Sequence, residues 1–322
     1  MTLSGLLRAG LVVLSVLLSP FGYSAPTTPN AAQLLEEMSQ SFSKLDYDGI
    51  FIHSENTRMN SMRVQHQQKK GKEYESLVDL DGNKIQVIRI DDTVICVYPN
   101  ESIADKQVMS STPFKRFIGL DSERLTLGYD LVVSDKIGRI AGRDAYHLRL
   151  VPKDQYRYAH EVWLDKHNRF LLKHDMLDQN GGLLDRIQFT SVTFDPNLKA
   201  EDFIPNKSSY SKQMVEPKPR QIKSLWKFDW LPEGFSLVWP EARSLNHGTS
   251  MLLLSDGMAT ISVFVEPVMK VKPTSYLLIG ATVAGEKTLK VGKQLYLVTM
   301  VGEVPKVTIE KLMSVFMPKA RL

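Results

Sequence analysis

The 322-residue sequence holds one cysteine, Cys96. A single thiol cannot close an internal disulfide, so the fold has to rely on its core. Cys96 sits within the apolar run Thr93-Val94-Ile95-Cys96-Val97-Tyr98, where packing rather than nucleophilic chemistry is expected. No apolar run approaches the roughly 20 residues that span a bilayer as a helix. Catalytic motifs are missing too: there is no Gly-x-Ser-x-Gly elbow and no His-Glu-x-x-His pair. Gly285 and Gly292-Lys293 are too far apart for a phosphate loop, and Gln294 stands where that loop has Ser or Thr, so a turn is expected there. Asp79-Leu80-Asp81-Gly82-Asn83 resembles half a calcium loop without its bidentate Glu, and reads as a hairpin turn. His160, His167 and His174 recur every seven residues but fall on two strands and the turn between them. They read as scattered surface histidines rather than metal ligands. The sequence therefore predicts no catalytic residue, no metal and no cofactor. With no dense stripe of Lys and Arg, it predicts no nucleic-acid partner either.

What is present begins with an export signal. Arg8, an apolar run over residues 9–18, then Pro20, Gly22, Ser24 and Ala25 have the layout of a charged, apolar and small-residue secretory leader. Residues 1–24 are read as a signal peptide, cleaved after Ser24 or close to it, which predicts a protein soluble in the periplasm. No cysteine follows the leader to carry a lipid anchor. Roughly 300 mature residues exceed the usual single-domain size, so two domains are expected. Charge divides the same way. From Arg220 onward there are 13 Lys and Arg against 8 Asp and Glu, whereas the preceding mature part carries a small acidic excess. A basic C-terminal part favours an acidic protein segment or an anionic headgroup as partner.

Thr28-Pro29 is predicted to open a helix that ends near Lys44, with Leu34, Leu35, Met38, Phe42 and Leu45 forming one apolar stripe. Short runs follow at 48–53, 62–66, 74–80, 85–90 and 93–98, divided by Lys69-Lys70-Gly71, Asp81-Gly82-Asn83 and Asp91-Asp92. More runs lie at 129–134, 146–151, 158–164, 170–177 and 183–194, with short helices expected around 113–120. Strands at this spacing imply a large curved, half-open antiparallel barrel over residues 25–205. The polar, proline-containing stretch 206–222 reads as a linker. Residues 223–322 form a second, smaller α+β unit: strands near 235–239, 251–254, 261–265 and 295–301, then a helix entered at Pro305. The class is mainly β. Phe170-Leu171-Leu172 and Val94-Ile95-Cys96-Val97 break the alternation of a sheet with one wet face. Either the amphipathic helix covers the second face, or that face lines an apolar cavity.

Tyr158-Ala159-His160-Glu161-Val162-Trp163-Leu164-Asp165, followed by residues 170–173 and Leu177-Asp178-Gln179-Asn180-Gly181, resembles the half-barrel of lipoprotein carriers of the LolA/LolB type. Ile140-Ala141-Gly142-Arg143 and Leu148-Arg149-Leu150-Val151-Pro152-Lys153-Asp154 narrow the likeness to the RseB/MucB family. Trp230-Leu231-Pro232-Glu233-Gly234-Phe235, Leu254-Ser255-Asp256-Gly257, Ile261-Ser262-Val263 and Val301-Gly302-Glu303-Val304-Pro305 resemble that family's second unit. The resemblance covers nearly the whole mature chain in order. It implies a periplasmic negative regulator of an envelope-stress sigma factor. Such proteins bind the periplasmic domain of a single-span anti-sigma factor, shield it from the first regulatory protease, and take lipid or lipopolysaccharide as the release signal. Acyl chains would enter between the helix and the curved sheet, and the candidates for that cavity are Leu35, Met38, Phe42, Ile52, Cys96, Trp163, Leu172 and Phe189. Partner binding is expected within 223–322, with no residues singled out, and self-association is left open. The alternative is a periplasmic lipoprotein or lipid carrier, which has no evident need of the second unit.

Overall fold

The computed structural model describes residues 30–55, 58–82, 84–104, 113–215, 220–245 and 248–319. The leader and the Thr28-Pro29 cap lie outside them. The first helix, α1 (Ala31–Lys44), is capped instead by Asn30, whose Oδ1 accepts the Ala32 N–H at 3.0 Å. That satisfies one of the N–H groups that the first turn leaves without a partner. Its end at Lys44 is as the spacing predicts. Leu34, Leu35, Met38 and Phe42 form the buried stripe.

Strands β1 (Tyr47–Glu55), β2 (Arg58–Lys69), β3 (Lys72–Asp79), β4 (Gln86–Ile90) and β5 (Thr93–Tyr98) form an antiparallel meander. Lys70 and Gly71, both at positive φ, make the two-residue turn between β2 and β3, the turn that matches the strands' own twist. After a short helix α2 (Glu101–Ala104), a 3-10 turn at Lys115–Phe117 and α3 (Ser122–Gly128), the meander resumes. It runs through β6 (Tyr129–Val133), β7 (Gly138–Ile140), β8 (Arg143–Pro152), β9 (Ala159–Asp165), β10 (Leu171–Leu177) and β11 (Leu183–Phe194). Ala141-Gly142 closes β7 on β8 as another positive-φ pair. β1 pairs β11, which joins the two meanders into one open sheet with β6 at one edge.

The other edge is unexpected. Part of the stretch read as a linker is a strand, β12 (Tyr210–Val215), laid antiparallel on β5 from Tyr210↔Tyr98 to Val215↔Thr93. Its side chains are mostly exposed. An edge strand held by backbone bonds needs no apolar period, so none was there to read.

The second unit contains β13 (Arg220–Ile222), β14 (Trp226–Phe228), β15 (Ser236–Leu237), β16 (Ala242–Ser244), β17 (Ser250–Ser255), β18 (Thr260–Val268), β19 (Ser275–Ile279), β20 (Thr282–Val291) and β21 (Gln294–Gly302). Helix α4 (Lys306–Val315) packs Ile309, Leu312 and Met313 onto the sheet, and β22 (Phe316–Pro318) returns to pair β14. The sheet runs β13-β16-β17-β18-β21-β20-β19, with β15 beside β17. Each sheet has its own buried apolar cluster. The fold is thus mainly antiparallel β, with a large sheet that does not close.

Candidate functional site

Side chains alternate across a strand, so one face of the large sheet collects Phe51 of β1, Leu172 of β10 and Phe189 of β11. Against it lie Leu35, Met38 and Phe42 of α1, and all six belong to one buried cluster that also holds Cys96. The segment after α2 enters the same concavity. Ser39 Oγ accepts from the N–H of Gly119 at 2.7 Å and of Leu120 at 3.2 Å, and Ser122 Oγ donates to Glu36. These bonds hold Phe114 and Phe117 over the sheet. Phe114 stacks on Phe42 at 5.2 Å and meets Phe51 at 5.0 Å and Phe189 at 5.7 Å between ring centroids.

Two of the eight candidates are not among its buried members: Trp163 only packs against the cluster as a half-buried side chain, and Ile52 does not belong to it. Trp163 alternates with the buried Val162 and Leu164, and its half-buried ring lies flat on His147 at 4.5 Å with the Lys173 ammonium 3.9 Å from its centre. Ile52 alternates with buried Phe51 and is only half-buried. Both lie on the strand face opposite Val162 and Phe51. Phe114 and Phe117 were not among the candidates, because they sit in a stretch without strand period.

At the lower end of the concave face the lining turns polar. His160 of β9 and His174 of β10 are fully buried, with His160 Nδ1 3.0 Å from His174 Nε2 and the rings nearly parallel. This corrects the expectation of surface histidines: both alternate in register with core residues, while only His167, in the turn, is exposed. Phe117 stands edge-on to His174 at 5.0 Å, and Tyr129 to His160 at 5.9 Å. Burial and the charge of Arg116 lower the His160 pKa to about 3. Burial, His160, Arg116 and His53 also push His174 well down. Burial thus holds the pair neutral, with one of the two facing ring nitrogens donating and the other accepting. Beside it, His53 Nε2 lies 2.8 Å from Asp185 Oδ2, and that hydrogen bond raises the His53 pKa against the effect of burial.

Below the histidines the two sheets meet through an ionic centre. Arg157 is buried. Its Nη1 donates to Asp256 Oδ2 at 2.9 Å, its Nη2 to Asp154 Oδ2 at 2.9 Å and to the Glu233 carbonyl at 2.6 Å, and its Nε to Asp154 Oδ1 at 3.1 Å. The guanidinium lies 5.3 Å from the Tyr129 ring centre and 5.2 Å from that of Phe235. Gly128 makes room for it, since a Cβ there would fall 1.7 Å from Arg157 Nη1. Asp256 in turn accepts from the N–H groups of Met258 and Ala259 at 2.9 and 2.8 Å. Around this centre Arg124 donates to the Gly234 carbonyl at 3.1 Å and to Ser236 Oγ at 2.6 Å. Arg116 pairs with Glu303 at 2.7 Å, Thr308 Oγ1 donates to the Tyr156 carbonyl at 2.8 Å, and Tyr156 stands edge-on to half-buried Trp230 at 4.9 Å. The motif residues Asp154, Glu233, Gly234, Phe235, Asp256 and Glu303, which lie far apart in the chain, thus converge on one junction.

Among the described residues no group of three His, Cys, Asp or Glu is placed to hold a metal ion, and no helix is long and apolar enough to cross a membrane. What the arrangement offers is apolar surface and a fixed relation between two sheets.

The sequence matches the MucB/RseB N-terminal domain over residues 30–207 and the MucB/RseB C-terminal domain over residues 220–316. It is 30% identical to the sigma-E factor regulatory protein RseB of Haemophilus influenzae, across 94% of this chain and 95% of that protein. It is 31% identical to the sigma factor AlgU regulatory protein MucB of Pseudomonas aeruginosa, across 92% and 93%. Among solved structures, the Pseudomonas aeruginosa MucA/MucB complex is similar at a TM-score of 0.73 and 27% identity, covering 90% of this chain and 99% of that one. A crystal structure of MucB is similar at a TM-score of 0.63 and 28% identity, covering 90% of this chain and 98% of that one. With both domain families matched in order and regulators of sigma factors aligned from end to end, the chain belongs to the MucB/RseB family.

Proposed function

We propose that the protein is a periplasmic negative regulator of an envelope-stress sigma factor. It binds the periplasmic part of a membrane-spanning anti-sigma factor and shields it from regulated proteolysis. The observation that carries this reading is the likeness over 90% of the chain to MucB in its complex with MucA(peri), at a TM-score of 0.72. The protein acts by binding, and no step of bond chemistry is assigned to it. The unit 223–322 contributes to partner binding, and the surplus of five positive charges from Arg220 onward suits an acidic segment. A lipid carrier would share the open sheet, but it has no use for a second sheet locked on through a buried ionic centre. Isothermal titration of the full chain with the periplasmic part of the anti-sigma factor from the same organism should give saturable binding. Cleavage of that segment by its first protease should slow in the complex. Absence of both effects overturns the reading.

Lipid or lipopolysaccharide is the release signal in this proposal, with an acyl chain displacing Phe114 and Phe117 from the concave face. Each methylene buried there contributes about 0.8 kcal/mol. Met38 is fully buried beneath that face. Met38→Asp is therefore expected to abolish saturable binding of a fluorescent fatty acid, because a carboxylate would have to be desolvated. Phe114→Ala should preserve or raise it. Circular dichroism is the control: only variants with the wild-type spectrum enter the comparison. Equal binding by wild type and Met38→Asp would place the acyl site elsewhere.

A further inference from the structure

The second sheet ends on β19, and among the described residues no strand pairs with its outer edge. β19 and β20 are joined by Gly280-Ala281, with Ile279 opposite Thr282. A two-residue hairpin closes on a hydrogen-bonded pair, and such pairs alternate along an antiparallel ladder. Ile279, Leu277 and Ser275 therefore bond β20, while the N–H and C=O groups of Tyr276 and Leu278 face outward. Edges of natural sheets are blunted by charge, proline or a bulge. Ser275-Tyr276-Leu277-Leu278-Ile279 has none of these, and its register with β20 is unbroken. Leu277, Leu278 and Ile279 are 59%, 57% and 59% exposed. Leu278 lies on one face of the strand, Leu277 and Ile279 on the other. A helix laid against the sheet would cover one face only, whereas an added strand presents side chains to both.

Charge gives the added strand a direction. Lys270 and Lys272 precede β19, and Lys272 is tied to β20 through its N–H to Thr288 Oγ1 at 2.9 Å. At the other end the Glu55 carboxylate comes within 3.1 Å of where a Cβ on Gly280 would sit. The edge runs from positive to negative along five residues, of which all but Ser275 are apolar. We propose that the outer edge of β19 takes up, by antiparallel strand addition, an extended apolar segment of the anti-sigma factor's periplasmic part, with acidic residues at that segment's C-terminal end beside Lys270 and Lys272. Backbone bonds would supply affinity, and the apolar pairs and end charges would set register. This rests on the function proposed above and names the surface that carries it.

The test uses the full chain and the periplasmic part of the anti-sigma factor from the same organism. Leu278→Pro removes an outward N–H and leaves the ladder to β20 intact, a position where an edge strand accepts proline. Leu277→Lys with Ile279→Lys keeps the backbone and places charges along the edge. Both are expected to keep the wild-type melting temperature and to bind about tenfold more weakly or worse in isothermal titration. In wild type, amide exchange at Tyr276 and Leu278 should slow on binding, while Leu277 and Ile279 are protected throughout. That last reading stands whether or not Leu278→Pro folds. Unchanged affinity in the folded variants, without new protection at Tyr276 and Leu278, overturns the proposal. So does loss of self-association in sedimentation with partner binding intact, which would make the edge a contact between copies. If wild-type protein does not bind the segment, the function itself fails, and the edge proposal with it.

Discussion

Asp256→Ala is expected to destabilise the protein by about 3–5 kcal/mol, the range for breaking one side of a buried ion pair. Arg157 is enclosed by Asp154, Asp256, the Glu233 carbonyl and the rings of Tyr129 and Phe235. Burial works against its charge, but the hydrogen bonds to Asp154 and the field of Asp256 prevail and hold its pKa above the ordinary value. Burial likewise raises the pKa of Asp256 in spite of the donors around it. The pair is therefore held together at a desolvation cost, and either member left alone is worse off than the two together. With Asp256 gone, the guanidinium keeps Asp154 but faces an empty site in a dry junction, and the N–H groups of Met258 and Ala259 lose their acceptor. Removing both charges, as Arg157→Met with Asp256→Leu, should recover much of the loss, since an apolar replacement of similar volume is often neutral. Urea denaturation of the three proteins at pH 7 measures this. A loss below about 1 kcal/mol in Asp256→Ala would mean that water reaches Arg157 and that the junction is no lock.

The strands and turns of the large sheet were legible because local chemistry and fold agree. Lys70-Gly71 and Ala141-Gly142 stand where the chain needs two residues at positive φ, and the apolar period of α1 is the stripe it buries. β12 was not legible, because Tyr-Ser-Lys-Gln-Met-Val pairs through its backbone at an exposed edge and carries no apolar rhythm. Trp163 and Ile52 were grouped with the other candidates, although counting in twos from buried Val162 and Phe51 puts them on the opposite strand face, from which Trp163 still packs against the cluster. The same count would have placed His160 with Val162 and Leu164, and so in the core. The junction was visible only as a set of motifs. Asp154 and Asp256 look like surface turn residues until the fold brings them to Arg157, and a tally of charges over each half averages the pair away.

The buried histidine pair makes stability depend on pH. His160 and His174 are held neutral by burial, His160 with its pKa near 3 and His174 also far below normal. In the unfolded chain each titrates near 6.5. Between those values the unfolded state binds more protons, so stability rises with pH. It is complete above about 6.5 and is lost as pH falls toward the folded values. The slope is about 1.4 kcal/mol per pH unit for each histidine, so together they should remove about 4 kcal/mol between pH 7 and pH 5. His53 acts in the opposite sense. Its pKa is raised by Asp185, so its contribution is present below 6.5 and is lost as pH rises through the folded value. It is constant over most of the acid window and does not mask the pair. His66, raised by Glu73 and the Leu45 carbonyl against burial, behaves likewise. The groups facing the pair offer no charge to accept a proton's field: Phe117 and Tyr129 present ring edges, and Arg116 repels. His174 Nδ1 meets no hydrogen-bond partner among the described residues, so a proton placed there would be bare as well as buried. Urea midpoints at pH 7, 6 and 5 should fall steeply in the wild type. In His160→Leu with His174→Met, whatever its stability at pH 7, the fall should be shallower by about 3–4 kcal/mol over the same range. Parallel curves for the two proteins would show that the histidines open to water before the fold gives way, and that carboxylates elsewhere set the acid limit.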